Sequence, residues 1–316
     1  MLPDEDLAVP LTDHYGPRVR SVVESVTSDD VVLVGDPAGL EQKLASLGRA
    51  GLDRVNVVSD FDRTITRFWN NGRMASSCHG VIDGSSLVSD DFRTRIKNLF
   101  DEYYPLEISP DLTPAAREAK MVEWWSRAHN MYIEHGIQLD HLPSMLKESN
   151  IALRERADKV ISGLANNGVP LYVLSAGISN VIDLFLRQHE LHYEDHVGIV
   201  ANTMHFGRDG KLAGFNEDLI HSMNKNGTML YKNPVTRDRL DRGKERDHLI
   251  LLGDNLMDAK MQEGIKAADV IKVGFLNDKV KERINDYSKL FDIVVVNDGS
   301  MHVVQSMIEA TKNGDI

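Results

Sequence analysis

Two short apolar runs in this sequence end the same way, and that shared ending constrains the fold more than any other feature. Val55-Asn56-Val57-Val58-Ser59 stops at Asp60-Phe61-Asp62, and His248-Leu249-Ile250-Leu251-Leu252 stops at Gly253-Asp254-Asn255-Leu256-Met257-Asp258. Short apolar runs without alternation suit strands covered on both faces, and strands of that kind belong to parallel sheets. Val169–Leu174, Val270–Phe275 and Asp292–Val296 are further runs of this type. Helical patterns at Ser179–His189, Asp258–Ala267 and Ser300–Lys312 separate the later ones. Strand and helix therefore alternate, and the expected fold is α/β, with a doubly wound, Rossmann-like parallel sheet.

The rest of the chain frames that sheet. Asp36-Pro37 followed by Leu40, Leu44 and Leu47 predicts a capped helix that stops near Gly48 or Gly51, and a strand is expected at Val31–Val34. From about Trp69 to Leu153 the texture turns polar and helix-forming, including Ser89–Tyr104 and Thr113–His135, with no convincing strand pattern. A hairpin is expected around Asp209-Gly210. The expected division is an α/β core of residues 1–72 and 156–316, residues 1–50 being an N-terminal extension, with an inserted helical domain at 73–155. The 316 residues suffice for a substantial core and one accessory domain.

Charge and composition narrow the partners. With 48 acidic and 36 basic residues and a net charge of −12, the surface as a whole repels a nucleic-acid backbone. A small anion is a different matter, because lysine, backbone N–H groups and a metal can make one site positive inside a negative protein. A phosphorylated metabolite therefore stays in play. The single cysteine, Cys78, has no partner for an intramolecular disulfide, and Met1-Leu2-Pro3-Asp4-Glu5-Asp6 has neither a basic start nor an apolar run. The longest apolar stretches fall short of the ~20 residues that span a bilayer. A soluble, cytoplasmic, monomeric protein without a membrane partner is expected.

Two aspartates one residue apart at the end of a buried strand repel each other unless a cation or a reaction requires them. In Asp60-Phe61-Asp62 the two acids fall on one side of an extended backbone and Phe61 on the other. Taken alone, the D-x-D spacing is equally an acidic turn, and the cluster after Leu252 is as often a helix cap as a ligand set. Two such clusters in one sheet converge on the crevice at the carboxyl ends of the strands, where Mg²⁺ and a phosphate are commonly held together. Asp60 and Asp254 are then the carboxylate ligands. Ser175-Ala176-Gly177 follows another apolar run and opens a helix in this reading, so a hydroxyl and backbone N–H groups can surround a phosphate oxygen. Lys225, in Met223-Asn224-Lys225-Asn226, is by default a surface residue; in this context it would neutralise the nucleophile and the transferring group.

The order of these elements is specific: D-F-D-x-T, then S-A-G, then a lysine, then G-D-x-x-x-D. This ordered set resembles the haloacid dehalogenase-like phosphatases. Within them it is similar to the cytosolic 5′-nucleotidase III family, through Asp60–Phe68 (DFDRTITRF), Ser175–Asn180 (SAGISN), Leu219–Lys225 (LIHSMNK) and Ile250–Met261 (ILLGDNLMDAKM). YYPLEISP from Tyr103, MVEWWSRAHN from Met121 and VGFLND from Val273 extend the likeness across roughly Val55 to Ile308. The resemblance implies hydrolysis of nucleoside 5′-monophosphates. Asp60 would attack phosphorus and form an aspartyl-phosphate, while Asp62 would protonate the leaving oxygen and then activate water. Mg²⁺ would be held by the Asp60 and Asp254 carboxylates and the Asp62 backbone carbonyl. Ser175, Ala176, Gly177 and Lys225 would grip the phosphoryl oxygens, Asp258 would orient Lys225 or metal-bound water, and Thr64 would support the motif.

The insertion would be a cap over the leaving group, so base selectivity should reside there. By position, the base-binding role falls on Glu107, Trp125 and His79, with Trp124 as cap core. Trp124-Trp125 with Ala128-His129-Asn130 looks like the branch preferring 7-methylguanosine monophosphate, whereas His79 resembles the pyrimidine-nucleotide branch. The base stays open between 7-methylguanylate and CMP or UMP, with a lean to the first. Two readings compete: a phosphatase of the same fold acting on another phosphomonoester such as phosphoserine, and a catalytically silent nucleotide-binding module. The silent module would usually lack an essential carboxylate or the lysine, and all of these groups are present.

Overall fold

In the computed structural model, which describes residues 15–23, 32–107, 109 and 111–316, the two acid-terminated runs lie side by side in one sheet. The strands are, in chain order, β1 (Val32–Val34), β2 (Val55–Ser59), the hairpin β3 (Trp69–Asn70) and β4 (Arg73–Met74), and β5 (Leu171–Ile178). They continue with β6 (Val197–Asn202), the hairpin β7 (Met204–Phe206) and β8 (Leu212–Phe215), β9 (His248–Gly253), β10 (Asp269–Leu276) and β11 (Ile293–Val296). Seven of them form one sheet in the order β1-β11-β10-β9-β2-β5-β6. Every pair is parallel except β1 with β11. The doubly wound α/β core expected from the sequence is therefore present.

The order of strands explains where a site can form. From β2 the chain adds β5 and β6 on one side, then crosses to the other side for β9, β10 and β11. The direction of winding reverses between β2 and β9, so the loops leaving their carboxyl ends part and leave a crevice. Asp60 is pinned at that point, its N–H donating to the Leu252 carbonyl at 2.9 Å.

Every residue of β2 and β9 is buried, as strands covered on both faces must be. Side chains alternate between two cores. Val57, Val173, Ile250, Val273 and Val295 share one with Leu40, Val160, Phe185 and Val304. Val58, Leu174, Leu251 and Val294 share the other with Leu230, Leu240, Tyr287 and Phe291. The first face is covered by α2 (Pro37–Ala50), α7 (Ala157–Asn166), α8 (Ser179–Gln188) and α12 (His302–Asn313), with α1 (Pro17–Val23) adding Val19 and Val22; the second is covered by α9 (Thr228–Lys232), α10 (Pro234–Arg242) and α11 (Val280–Leu290), which Phe291 follows. Truncating Ile250 to alanine would cost about 2–5 kcal/mol at such a site.

Between β4 and Leu153 lie α3 (Cys78–Asp83), α4 (Asp90–Glu107), α5 (Pro114–His135) and α6 (Leu142–Glu148). Thr113 caps α5, its hydroxyl accepting from the Ala116 N–H at 3.2 Å, and Gly136 ends it in a left-handed conformation at φ +73°. The chain leaves and re-enters the sheet region through one narrow ladder: Thr66 pairs with Leu153, Arg67 N–H donates to the Ala152 carbonyl, and Arg154 N–H donates to the Ile65 carbonyl, both at 2.9 Å.

Several expectations need correction. Ser175-Ala176-Gly177 does not open a helix; it forms the last part of β5, where the register with β6 shifts, and α8 begins at Ser179. The helix expected over Asp258–Ala267 is a short 3₁₀ turn, Leu256–Lys260. Asp258 caps the start of this turn by accepting from backbone N–H groups, and Gly264, left-handed at φ +87°, breaks the expected span further on. The stretch from Trp69 does contain strands, the two-residue β3 and β4, too short to show a period. The first fifty residues include β1 and α2, which belong to the sheet and its packing; Val31, Ile108, Pro110 and the opening residues lie outside the described set. Among the described residues no helix is long and apolar enough to cross a membrane.

Candidate active site

The crevice is organised by one buried lysine. Lys225 Nζ lies 2.8 Å from Asp60 Oδ1 and 2.7 Å from Asp258 Oδ1, all three side chains being nearly inaccessible. Asp258 is itself held on its other oxygen, which accepts from the N–H groups of Asp254 at 3.1 Å and Asn255 at 3.0 Å. Gly253 makes this possible, since a β-carbon there would sit 2.3 Å from Asp258 Cβ. The Lys225 loop is tied to the sheet by Asn202, whose side chain donates to the Ala176 and Ile220 carbonyls, each at 2.8 Å, and accepts from the Ile220 N–H at 2.9 Å.

Charge is unbalanced here in a way that suits a hard cation. Oxygens of Asp60, Asp254 and Asp258 lie within 4.8 Å of one another, against the single ammonium of Lys225. The Asp254 carboxylate accepts no hydrogen bond among the described residues. Burial, then the charges of Asp60 and Asp258, push its carboxyl well above the ordinary range. Asp258 is pushed up to about 6 by burial, with Lys225 opposing. Burial would lower the Lys225 ammonium, but Asp258 and Asp60 on either side raise it instead. An all-oxygen donor set with excess negative charge fits Mg²⁺, and Asp258, already saturated by Lys225 and two N–H groups, is the least available of the three.

Asp62 follows Asp60 by two residues in the loop that leaves β2. Phe61 between them is buried edge-on against Phe185, 5.6 Å between ring centroids, so the two acids flank a side chain anchored in the core. Asp62 Oδ1 accepts from the Cys78 N–H at 2.9 Å. Burial, and then the charge of Asp60, pushes its carboxyl up to about 6, which keeps a proton available near neutrality. Ser175 is buried, and its oxygen accepts from the Gly177 N–H at 3.0 Å, which leaves the hydroxyl hydrogen to donate. A β-carbon on Gly177 would meet Cys78 Sγ at 2.8 Å, so glycine is needed where α3 presses on β5.

The insertion brings a different set of groups. Glu107 is half-buried; burial raises its carboxyl, opposed by the Ser222 hydroxyl and by the charges of Arg63 and Lys225, which places it beside the lysine loop. Trp125 Nε1 donates to the Ala176 carbonyl at 3.3 Å, and its ring meets His221 at 6.3 Å and His79 at 6.4 Å. Burial holds His79 down to about 4, so the ring is neutral at physiological pH. Trp124 instead packs on Tyr103 and Phe100 within the insertion. Thr64 lies apart from these contacts: it is buried and its hydroxyl has no hydrogen-bond partner among the described residues.

Two functional-looking residues escaped the sequence reading. Asn202 ends the apolar run of β6 with a buried amide, a signal of the same kind as Asp60 but without charge. Arg154 stands in the charged run Leu153-Arg154-Glu155-Arg156, where nothing distinguishes it from a solvated arginine, yet it is fully buried behind the D-F-D loop.

Comparison with known proteins points the same way. The sequence profile of the pyrimidine 5′-nucleotidase (UMPH-1) family matches residues 63–312. The match begins just past Asp60 and Asp62, whose pairing stands on the geometry above. The 7-methylguanosine phosphate-specific 5′-nucleotidase A of Xenopus laevis is 38% identical over 285 residues, 90% of this chain and 97% of the relative. The Homo sapiens 7-methylguanosine phosphate-specific 5′-nucleotidase is 36% identical over 279 residues, 88% of this chain and 91% of the relative. The crystal structure of cytosolic 5′-nucleotidase IIIB bound to cytidine superposes with a TM-score of 0.84 at 30% identity, covering 94% of this chain and 98% of that one. A HAD family hydrolase from Salmonella enterica serovar Typhi shares the fold at a TM-score of 0.51 and 15% identity, over 81% of this chain and 72% of that one.

Proposed function

The chain belongs to the pyrimidine 5′-nucleotidase (UMPH-1) family of phosphoric monoester hydrolases, and we propose that it hydrolyses nucleoside 5′-monophosphates through an aspartyl-phosphate on Asp60. The observation that carries this reading is Lys225 bridging Asp60 and Asp258 at the winding reversal, with Asp254 alongside. Asp60 and Asp254, with the Asp62 backbone carbonyl, are the groups to hold Mg²⁺, which when bound would offset repulsion between the nucleophile and a dianionic phosphate.

The chain's own residues divide the work. Lys225, Ser175 and the Ala176-Gly177 backbone orient the phosphoryl oxygens so that an Asp60 oxygen faces phosphorus. That oxygen bonds to phosphorus as the P–O5′ bond breaks, and Asp62 delivers its proton to the leaving oxygen. Asp62, now ionised, takes a proton from water; the water oxygen attacks phosphorus, and Asp60 is released with inorganic phosphate. Asp258 holds Lys225 in place.

For the leaving nucleoside, the reading is 7-methylguanylate as the preferred substrate, with CMP and UMP also cleaved, in a cytosolic setting. A methylated guanine ring is cationic, and the Trp125 face and the Glu107 carboxylate both attract a cation. His79, neutral at this pH, does not repel it. The alternative, another phosphomonoester such as phosphoserine, offers no aromatic group for Trp125 to stack on. Phosphate release from 7-methylguanylate, CMP, UMP, GMP and phosphoserine, with Mg²⁺ and with a chelator, tests this. The expected order of kcat/KM places 7-methylguanylate first and phosphoserine last, with activity lost on chelation; phosphoserine in first place would overturn the substrate reading.

A further inference from the structure

Arg154 is withdrawn from solvent, its side chain 0% exposed. Its Nε donates to the Thr64 carbonyl at 2.7 Å and its Nη2 to the Arg63 carbonyl, so the guanidinium grips two successive peptides immediately after Asp62. Nη2 also donates to Asn277 Oδ1 at 2.9 Å and Nη1 to the Gly299 carbonyl at 2.6 Å, while the guanidinium lies 4.5 Å above the Phe275 ring. Asp298 neutralises it at 3.2 Å and in turn accepts from the Phe68 and Trp69 N–H groups. One side chain thus ties together the D-F-D loop, the segment leading into the insertion, and the loops after β10 and β11. Its own residue ends the segment that returns from the insertion.

Stability alone is a weak reason to bury such a charge, because apolar replacements of buried ion pairs are often neutral or stabilising. Geometry gives a stronger one. Arg63 is left-handed at φ +64°, a conformation that side-chain-bearing residues adopt at a cost. Its carbonyl is fixed from two sides, by Arg154 and by the Asn277 amide at 3.0 Å. Relaxation of Arg63 towards ordinary backbone angles would swing the Asp62–Arg63 peptide and carry Asp62 with it. The Asp62 carboxylate is meanwhile held by the Cys78 N–H, which belongs to the insertion.

We propose that Arg154 is a positioning residue for Asp62, keeping the proton donor in line with the leaving oxygen by clamping the Arg63 and Thr64 carbonyls at the junction of sheet and insertion. The proposal rests on the role given to Asp62 above.

The test exploits leaving groups. The 5′-oxygen of a nucleotide needs a proton to depart, whereas p-nitrophenolate departs without one, so a misplaced Asp62 slows phosphorylation by the first and spares the second. Arg154→Lys keeps the charge and loses the fork. Its kcat/KM should fall about tenfold or more with 7-methylguanylate and CMP, but less than about threefold with p-nitrophenyl phosphate, in keeping with the cost of a small misplacement. Asn277→Ala, which removes the second donor to Arg63, should shift the same ratio in the same direction by less, and decides the matter if Arg154→Lys does not fold. Equal losses on both substrates, or no change in their ratio, would overturn the proposal. Wild-type enzyme that cleaves p-nitrophenyl phosphate but no nucleotide would instead overturn the nucleotidase reading.

Discussion

The two halves of the crevice are built on different physics. On the sheet side, Asp60, Lys225, Asp258 and the N–H groups after β9 form a chain of contacts between 2.7 and 3.1 Å. On the insertion side, Trp125 and His79, both partly exposed, stand with ring centroids 6.4 Å apart, and Trp125 reaches the sheet through one 3.3 Å hydrogen bond. Charge at short range is rigid and intolerant of substitution; apolar faces at van der Waals range tolerate adjustment. In the function proposed above, the chemistry would be fixed by strands that cannot shift without losing register, and the choice of base would fall to helices that can.

Substitutions should break this comparison in a graded way. Asp60→Asn, on the sheet side, is expected to reduce phosphate release from every nucleotide by at least roughly 10³-fold, without regard to the base. Trp125→Ala should raise KM by about tenfold with kcat changed less than about threefold, since stacking on the base is made in ground and transition states alike. The KM increase should be larger for 7-methylguanylate than for CMP, because the cationic ring gains more from an indole face; an equal increase would place Trp125 in the packing of the insertion instead.

The smallest effect concerns stability. Asp83 ends α3 and accepts from the Tyr132 hydroxyl at 2.6 Å. Burial pushes its carboxyl from 3.8 up to about 7, the Tyr132 hydrogen bond opposing. Folding thus favours the protonated acid. That contribution is fully present below the ordinary value near 3.8 and is lost as pH rises through about 7. Asp83→Asn keeps the acceptor and removes the titration, so the variant should gain about 3 °C or more in Tm over wild type at pH 8 relative to pH 5. A constant difference across that range would show that this acid is not penalised by the fold.

The same contrast governs what could be read from the sequence. The sheet-side residues were legible because each ends an apolar strand, and parallel strands deliver their carboxyl ends to one place; Asp60, Ser175 and Asp254 follow from that rule. Lys225 became visible through its order among them, since its own neighbourhood looks like a polar loop. The helix expected after Asp254 is cut to a 3₁₀ turn, and Gly264 within the expected span is left-handed at φ +87°, which the spacing of apolar residues does not encode. Arg154 and Asn202 were illegible for a related reason: both act on backbone carbonyls contributed by distant segments. Glu107 and Trp125 were found through likeness to a family, and the geometry puts them at the lysine loop and at Ala176 respectively.

The proposed reaction turns on one bond, from an Asp60 oxygen to phosphorus. Enzyme turning over 7-methylguanylate with Mg²⁺ can be quenched in acid and reduced with borohydride, which converts an acyl phosphate to an alcohol, and then peptide-mapped by mass spectrometry. Homoserine in place of Asp60, with Asp62 unaltered, is the expected result. Reduction at Asp62, or turnover that leaves both aspartates unaltered under conditions that trap a control aspartyl-phosphate, would contradict it.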